Sequence, residues 1–226
     1  TAHPTEVKRR TLIQKYANVN NILDELNNIQ ILKKQNIKRE KGILEKKLKE
    51  EITSVWKTDE IKRSRPTAVE EAKWGLTVIE DSLWNSVPKI CSRFDNAVNK
   101  FTNKNLPINY SPIKVSSWMG GDRDGNPNVT SKTTMEVVLL SRWEAASLYE
   151  KEFTKLIQSL SLFDCSKKIK KQVGKTWEPY RVFLRPIRNK LQQTQREIED
   201  ALLEKREPKK KLLVNSINEI LDPLNE

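Results

Sequence analysis

Residues 69–101 read VEEAKWGLTVIEDSLWNSVPKICSRFDNAVNKF. Val69, Ala72, Leu76, Ile79, Leu83, Val87, Ile90, Phe94, Ala97 and Phe101 follow at steps of three or four, the spacing that gathers side chains on one face of an α-helix. A strand would alternate every second residue instead. A run of this length needs two or more packing neighbours, so the spacing predicts a mostly helical chain built around a long helix at about 67–101. Pro88 lies inside the run and lacks a backbone donor, which predicts a kink or break near Ser86-Val87.

Working outward, Val7, Ile13, Tyr16, Val19, Leu23, Leu26, Ile29 and Leu32 predict an amphipathic helix over 5–34. A very basic second stretch, 38–56, carries Ile43, Leu44, Leu48, Ile52 and Val55, so the two form a helical hairpin at about 5–57. Lys62–Pro66 reads as a linker, because a residue before proline is biased out of the helical region. Residues 103–112 are a loop by composition. Ile113, Val115 and Ser117 alternate between Pro112 and Gly120 and predict the chain's one strand. Gly120–Pro127 then holds three of the six glycines. Thr130 or Ser131 is expected to cap a helix of about thirty residues reaching Leu162, with further helices at 179–204 and 209–221. No internal repeat occurs, and the whole of 1–226 is expected to form one partial domain.

Composition excludes several classes. The 226 residues include 42 Lys+Arg and 30 Asp+Glu, for a net charge of +12, with 36% apolar and 32% charged residues. No apolar run approaches the roughly 18 residues needed to span a bilayer, so no membrane association is expected. Six Trp, five Phe and four Tyr supply enough large apolar surface to exclude a disordered chain, and six Gly is too few for a turn-rich all-β fold. Cys91 and Cys165 are too few for a disulfide framework and are expected to be reduced thiols in a cytoplasmic protein. The sequence starts at Thr1 without an initiator Met or a signal segment, which suggests a processed chain or a piece of a longer one.

The positive charge is uneven, with a net +7 over residues 1–66 and +8 over 167–190. A stand-alone basic helical module that binds nucleic acid is therefore the rival function. Against it, the lysines are mixed with glutamates on helix faces, and the aromatics fall at core spacing rather than between basic residues. No nucleic-acid partner is expected.

Two elements carry reactive chemistry. His3 is the only histidine, and Pro4 fixes the backbone directly after it. It is either a surface or capping residue, or an acid-base group, since imidazole titrates near neutral pH. The loop Gly120-Gly121-Asp122-Arg123-Asp124-Gly125-Asn126-Pro127 places three charges where glycines let the backbone approach closely. Either Asp122 and Asp124 pair with Arg123 in a self-bonded turn, or the amides and Arg123 meet an anionic ligand. No Lys-Ser or Lys-Thr follows the glycines, so this is not a Walker loop, and the calcium pattern DxDxDG is absent.

Three segments read together resemble phosphoenolpyruvate carboxylase in its bacterial form: TAHPTEVKRRT at 1–11, LWNSVPK at 83–89 and SWMGGDRDGNPNVT at 117–130. DEIKRSRPT (59–67), EEAKWG (70–75), LLSRW (139–143) and EPYR (178–181) also look like the family's sequence, in order, so the resemblance covers nearly the whole chain. It implies a cytoplasmic homotetrameric lyase that joins bicarbonate to phosphoenolpyruvate with Mg²⁺ or Mn²⁺, releasing phosphate and forming oxaloacetate, which feeds the tricarboxylic acid cycle. In the mechanism it implies, bicarbonate attacks the phosphoryl group, giving carboxyphosphate and a metal-stabilised enolate; CO₂ then forms and is attacked by the enolate carbon.

By the same resemblance His3 is the family's essential HPT histidine, which deprotonates carboxyphosphate and helps hold CO₂. Asp122, Arg123, Asp124 and Asn126 belong to a loop that shapes the active-site mouth, and Arg9 and Arg10 match a basic pair near an activator site in plant-type members. The implied fold is a TIM-type (β/α)₈ barrel with many inserted helices, with His3 at the end of the first strand and the glycine loop after the second. No segment resembles the family's metal-binding carboxylates, phosphate-binding arginines, catalytic lysine or FHGRGG loop. The resemblance thus implies an incomplete, by itself inactive, piece without metal ligands of its own.

Overall fold

Lys/Glu-rich periodic segments form helices wherever an apolar stripe finds a neighbour, and the chain is mostly helical. A computed structural model describes residues 10–31, 37–59, 66–107 and 110–225. His3 and Arg9 lie outside them, as does most of the expected Lys62–Pro66 linker. The chain divides into two compact units, Thr1–Thr67 and Ala68–Glu226.

In the first unit, α1 (Arg10–Ile31) packs on α2 (Ile37–Trp56). Lys15 Nζ, near the start of α1, donates to Ser54 O at 3.1 Å and Thr58 Oγ1 at 2.5 Å near the end of α2, so the pair is antiparallel. The covered face of α1 runs through Leu12, Lys15, Val19, Ile22, Leu26 and Ile29, leaving Tyr16 and Leu23 about half exposed. The inward stripe is thus offset from the one the apolar spacing predicts, because the Lys15 stem packs inward while its ammonium reaches two oxygens. On α2 the outer lysines and glutamates pair along the helix, Lys41 with Glu45 at 3.7 Å and Lys46 with Glu50 at 4.0 Å. At their exposure such pairs are worth only about 0.3–0.5 kcal/mol each.

The second unit is organised by α5 (Ser131–Ser159) and α7 (Pro179–Leu203). Ala146, Phe153 and Ile157 of α5 meet Leu184 and Leu191 of α7, and Leu139 meets Ile198, which is completely buried. Early α5 residues face late α7 residues, so these two are also antiparallel. Polar ties at both ends fix their register: Trp143 Nε1 donates to Glu199 Oε1 at 2.8 Å, and Arg181 Nε donates to Ile157 O at 2.8 Å. Thr130 caps α5 by accepting the Thr133 amide at 3.3 Å, as the sequence predicts.

The long run is divided. Its first part, α3 (Ala68–Val78), packs on α5 and buries Ala72 and Thr77. A π-helical segment, Ile79–Leu83, follows, in which the Trp84 amide donates to Ile79 O, and α4 (Trp84–Thr102) continues through Pro88. The irregularity therefore falls at 79–83, not at the expected Ser86-Val87. Lys151 of α5 pairs with Glu80 in the π segment at 2.8 Å, and the rings of Trp84 and Tyr149 meet edge to face at 5.1 Å.

Two other expectations are corrected, and one helix was not expected. Residues 113–117 are extended but form no strand, and no strand occurs among the described residues. A strand exists only with a paired strand, and among the described residues this segment lies against helices α4 and α5 with no strand partner. The expected helix at 209–221 is instead a 3₁₀ turn (Lys210–Leu212), an extended stretch and a short α8 (Asn218–Leu224). Side chains satisfy that backbone in place of a helical ladder: Thr194 Oγ1 accepts the Val214 amide at 2.9 Å, Arg142 donates to Val214 O, and Asn215 Nδ2 donates to Lys210 O and Leu213 O. This seats Leu213, 1% exposed, against Ile198. Finally, α6 (Lys167–Val173) escapes sequence reading because only Ile169 and Val173 of its seven residues face inward; Ser166 caps it.

Candidate functional site

The glycine-rich loop hangs from two helices. Gly120 has φ +72°, a left-handed conformation that favours glycine. A Cβ there would stand 2.5 Å from Val137 Cγ2, so α5 and the loop backbone meet where only hydrogen fits. Thr134, one turn into α5, donates from Oγ1 to Gly120 O at 2.7 Å. On the other side Met119 lies over Gly75 of α3, its Sδ only 2.7 Å from where a Cβ of residue 75 would be. Beyond this anchor the Gly121 and Asp122 amides both donate to Trp118 O, at 3.0 and 2.9 Å.

The second half is a self-contained turn. The Asn126 amide donates to Arg123 O at 2.5 Å, Asn126 Oδ1 accepts the Asn128 amide at 3.0 Å, and the Val129 amide donates to Asn126 O at 3.2 Å. Asp124 and Gly125 both take positive φ, +34° and +77°. Val129 is buried, so the loop is pinned at both ends, whereas residues 121–128 are exposed.

The structure thus brings Asp122, Arg123, Asp124 and Asn126 together on one loop. Asn126 is committed to shaping the turn. The side chains of Asp122, Arg123 and Asp124 make no hydrogen bond or ion pair with any described residue, so the self-bonded alternative does not hold for the charges. They stand in solvent on a fixed backbone, an arrangement suited to meeting a charged ligand without first breaking an internal pair. Arg10 is the first residue of α1, and its side chain is outside the described set, as are His3 and Arg9. Sequence reading missed Thr134, Val137 and Gly75. The signal for Thr134 was available, since a hydroxyl four residues beyond the cap Thr130 returns to the loop.

Among the described residues no three His, Cys, Asp or Glu side chains converge on a metal-sized gap. Asp122 and Asp124 alone are too few oxygens for a Mg²⁺ or Mn²⁺ site. The residues described do not fit a metal centre.

The family profile described as phosphoenolpyruvate carboxylase matches residues 1–226. The chain belongs to the phosphoenolpyruvate carboxylase family. It is similar to the phosphoenolpyruvate carboxylase of Hahella chejuensis, 44% identical over 224 residues, which cover 99% of this chain and 25% of that protein. The phosphoenolpyruvate carboxylase of Acinetobacter baumannii is 44% identical over 225 residues, 99% of this chain and 24% of that protein. That of Tolumonas auensis is 40% identical over 224 residues. The chain therefore spans about a quarter of the length of the phosphoenolpyruvate carboxylases it matches. No described helix is long and apolar enough to cross a membrane.

Two motifs shared in appearance with phosphoenolpyruvate carboxylases have structural work here. In LLSRW, Leu139 is core, Arg142 holds Val214 O and Trp143 holds Glu199. In EPYR, Glu178 accepts Ser161 Oγ and Arg181 Nη1, each at 2.7 Å. The Ser161 and Arg181 bonds hold the Glu178 carboxyl below the usual carboxylate range.

Proposed function

We propose that this chain supplies the histidine segment and the glycine-loop wall of a phosphoenolpyruvate carboxylase, a cytoplasmic lyase that converts phosphoenolpyruvate and bicarbonate to oxaloacetate and phosphate. The observation that carries this is the loop at 120–127, whose three charged side chains make no hydrogen bond or ion pair with any described residue and stand on an anchored backbone in a chain of this family. Arg123 is the group suited to an anionic substrate or intermediate, with Asp122 and Asp124 setting the polarity of the mouth. His3 acts as the general base that takes the proton of carboxyphosphate and then borders the released CO₂; Pro4 limits its backbone freedom. Arg9 and Arg10 are assigned to an activator site.

In this reading the chain is part of a (β/α)₈ barrel subunit of a homotetramer. The divalent metal of the reaction would be held by residues other than those described here, and the 226-residue chain alone is inactive. In the full-length enzyme, His3→Asn is expected to abolish oxaloacetate formation with circular dichroism unchanged. Undiminished carboxylation would refute the role. The 226-residue chain, given phosphoenolpyruvate, bicarbonate and Mg²⁺, is expected to show no turnover above background, and measurable turnover would overturn the claim of incompleteness.

A further inference from the structure

α4 is a 19-residue helix with a strongly two-sided sequence, yet none of its residues is buried. Ile90 is 51% exposed, Phe94 45% and Phe101 85%. At about 100° per residue, Ile90, Phe94, Ala97 and Phe101 fall within about 60° of one another and form a single ridge. One border of that ridge is basic, made by Arg93, Lys100 and Lys89, all exposed. The other border, Trp84, Val87, Cys91 and Val98, is half-buried. On that side Asp95 accepts the Leu106 amide at 2.7 Å, and Ile113 and Val115 line a cleft of about 760 Å³ with Trp84, Val87 and Tyr149. The segment following α4 therefore covers one flank and leaves the ridge with its basic border open.

We propose that the Ile90-Phe94-Ala97-Phe101 ridge docks a second amphipathic helix whose apolar seam is bordered by aspartate or glutamate. The apolar repeat of three and four is what a facing helix requires, and flanking charges select the partner. Arg93, Lys100 and Lys89 carry positive charge on that border with no acidic residue among them, so charge complementarity names the occupant. A second copy of α4 is a poor fit: antiparallel, it sets Arg93 and Lys100 against their equivalents, and parallel, it leaves both basic borders uncompensated. The matched relatives are about four times as long as the aligned stretch, so family members contain ample further polypeptide to supply such a helix. The proposal does not depend on the carboxylation reading.

The test uses the 226-residue chain and two synthetic helical peptides of about 20 residues, the length of α4. Both carry leucine seams; one is bordered by Glu and the other by Lys. Fluorescence anisotropy at low ionic strength is expected to show the Glu peptide binding about tenfold tighter, the order expected for three exposed ion pairs, with the difference shrinking as salt rises. Phe94→Glu, at an exposed position and checked for unchanged circular dichroism, is expected to abolish binding. The double variant Arg93→Glu/Lys100→Glu is expected to reverse the preference towards the Lys peptide. Equal binding of the two peptides, or binding of neither, overturns the proposal. So does self-association in sedimentation velocity that Phe94→Glu abolishes, or phosphatidylserine-vesicle binding with the same sensitivity in place of peptide binding.

Discussion

Replacing Gly120 by Ala tests whether the loop is held by close backbone approach. Two costs add. The residue sits at φ +72°, where an L side chain is disfavoured by about 1–2 kcal/mol. Its new Cβ would also stand 2.5 Å from Val137 Cγ2 and 2.9 Å from Val137 Cβ, inside a packed site where overfilling costs about 1–3 kcal/mol. The sum is about 2–5 kcal/mol, which lowers the melting temperature of a unit this size by roughly 5–15 °C. Val137→Ala alone removes two buried methyl groups and costs about 1.5 kcal/mol. Because it also clears the nearest clashing atom, the double variant should be at least about 1 kcal/mol more stable than the two single losses predict. Urea unfolding followed by far-UV circular dichroism reads all four proteins. A Gly120→Ala change within about 0.5 kcal/mol of the parent, or strict additivity with Val137→Ala, would refute the account of the anchor.

Thr194→Val should cost about 1–3 kcal/mol in the same assay, because the Thr194 hydroxyl accepts the Val214 amide at 2.9 Å and donates to Lys190 O at 2.9 Å in a site only 1% exposed; hydrogen exchange at Val214 should rise with it, and unchanged exchange would sink the idea. Ile198→Ala, at a fully buried position shared with Leu139 and Leu213, should lose about 2–5 kcal/mol, and a loss under about 1 would mean this second cluster is not packed as described. Glu197 is held below its ordinary range by Arg206, 2.5 Å away, and then by the Lys209 amide at 2.8 Å. A carboxyl lowered by folding contributes stability above its unfolded pKa and loses it as pH falls through the folded value. Stability should therefore drop below the ordinary glutamate range, and Glu197→Gln should flatten that acid limb; an unchanged slope would exclude the pair as its source.

Which parts of the fold the sequence disclosed follows from what each element needs. α5 and α7 were legible within a few residues because an apolar stripe, a Thr130 cap and Pro179 are local signals. The 209–221 segment has equally helical spacing, but Thr194 and Arg142 bind its backbone from α7 and α5, and a local pattern cannot report that. The 113–117 segment fails in the opposite direction: its alternation is real, yet a strand is a relation between two segments. The glycine loop was recognisable by composition, whereas its mounting was not, since Met119 over Gly75 and Gly120 against Val137 join residues 17 to 44 positions apart. The isolation of Asp122, Arg123 and Asp124 was likewise open in the sequence, where pairing and display are equally compatible with alternating charges.

The π segment at Ile79–Leu83 changes what periodicity means across it. Ala72 and Ile90 are 18 residues apart, five full turns of an uninterrupted α-helix, and would share a face. Ala72 is nevertheless buried at 3% while Ile90 is 51% exposed. A π-turn holds about one residue more than an α-turn, so the stripe resumes about 100° out of phase. An unbroken run of three- and four-residue steps therefore encodes two faces, one for the core and one for the outside. The same geometry names the insertion or deletion this helix can absorb: losing one residue within 79–83 closes the turn to α and leaves Phe94 and Phe101 pointing where they already point.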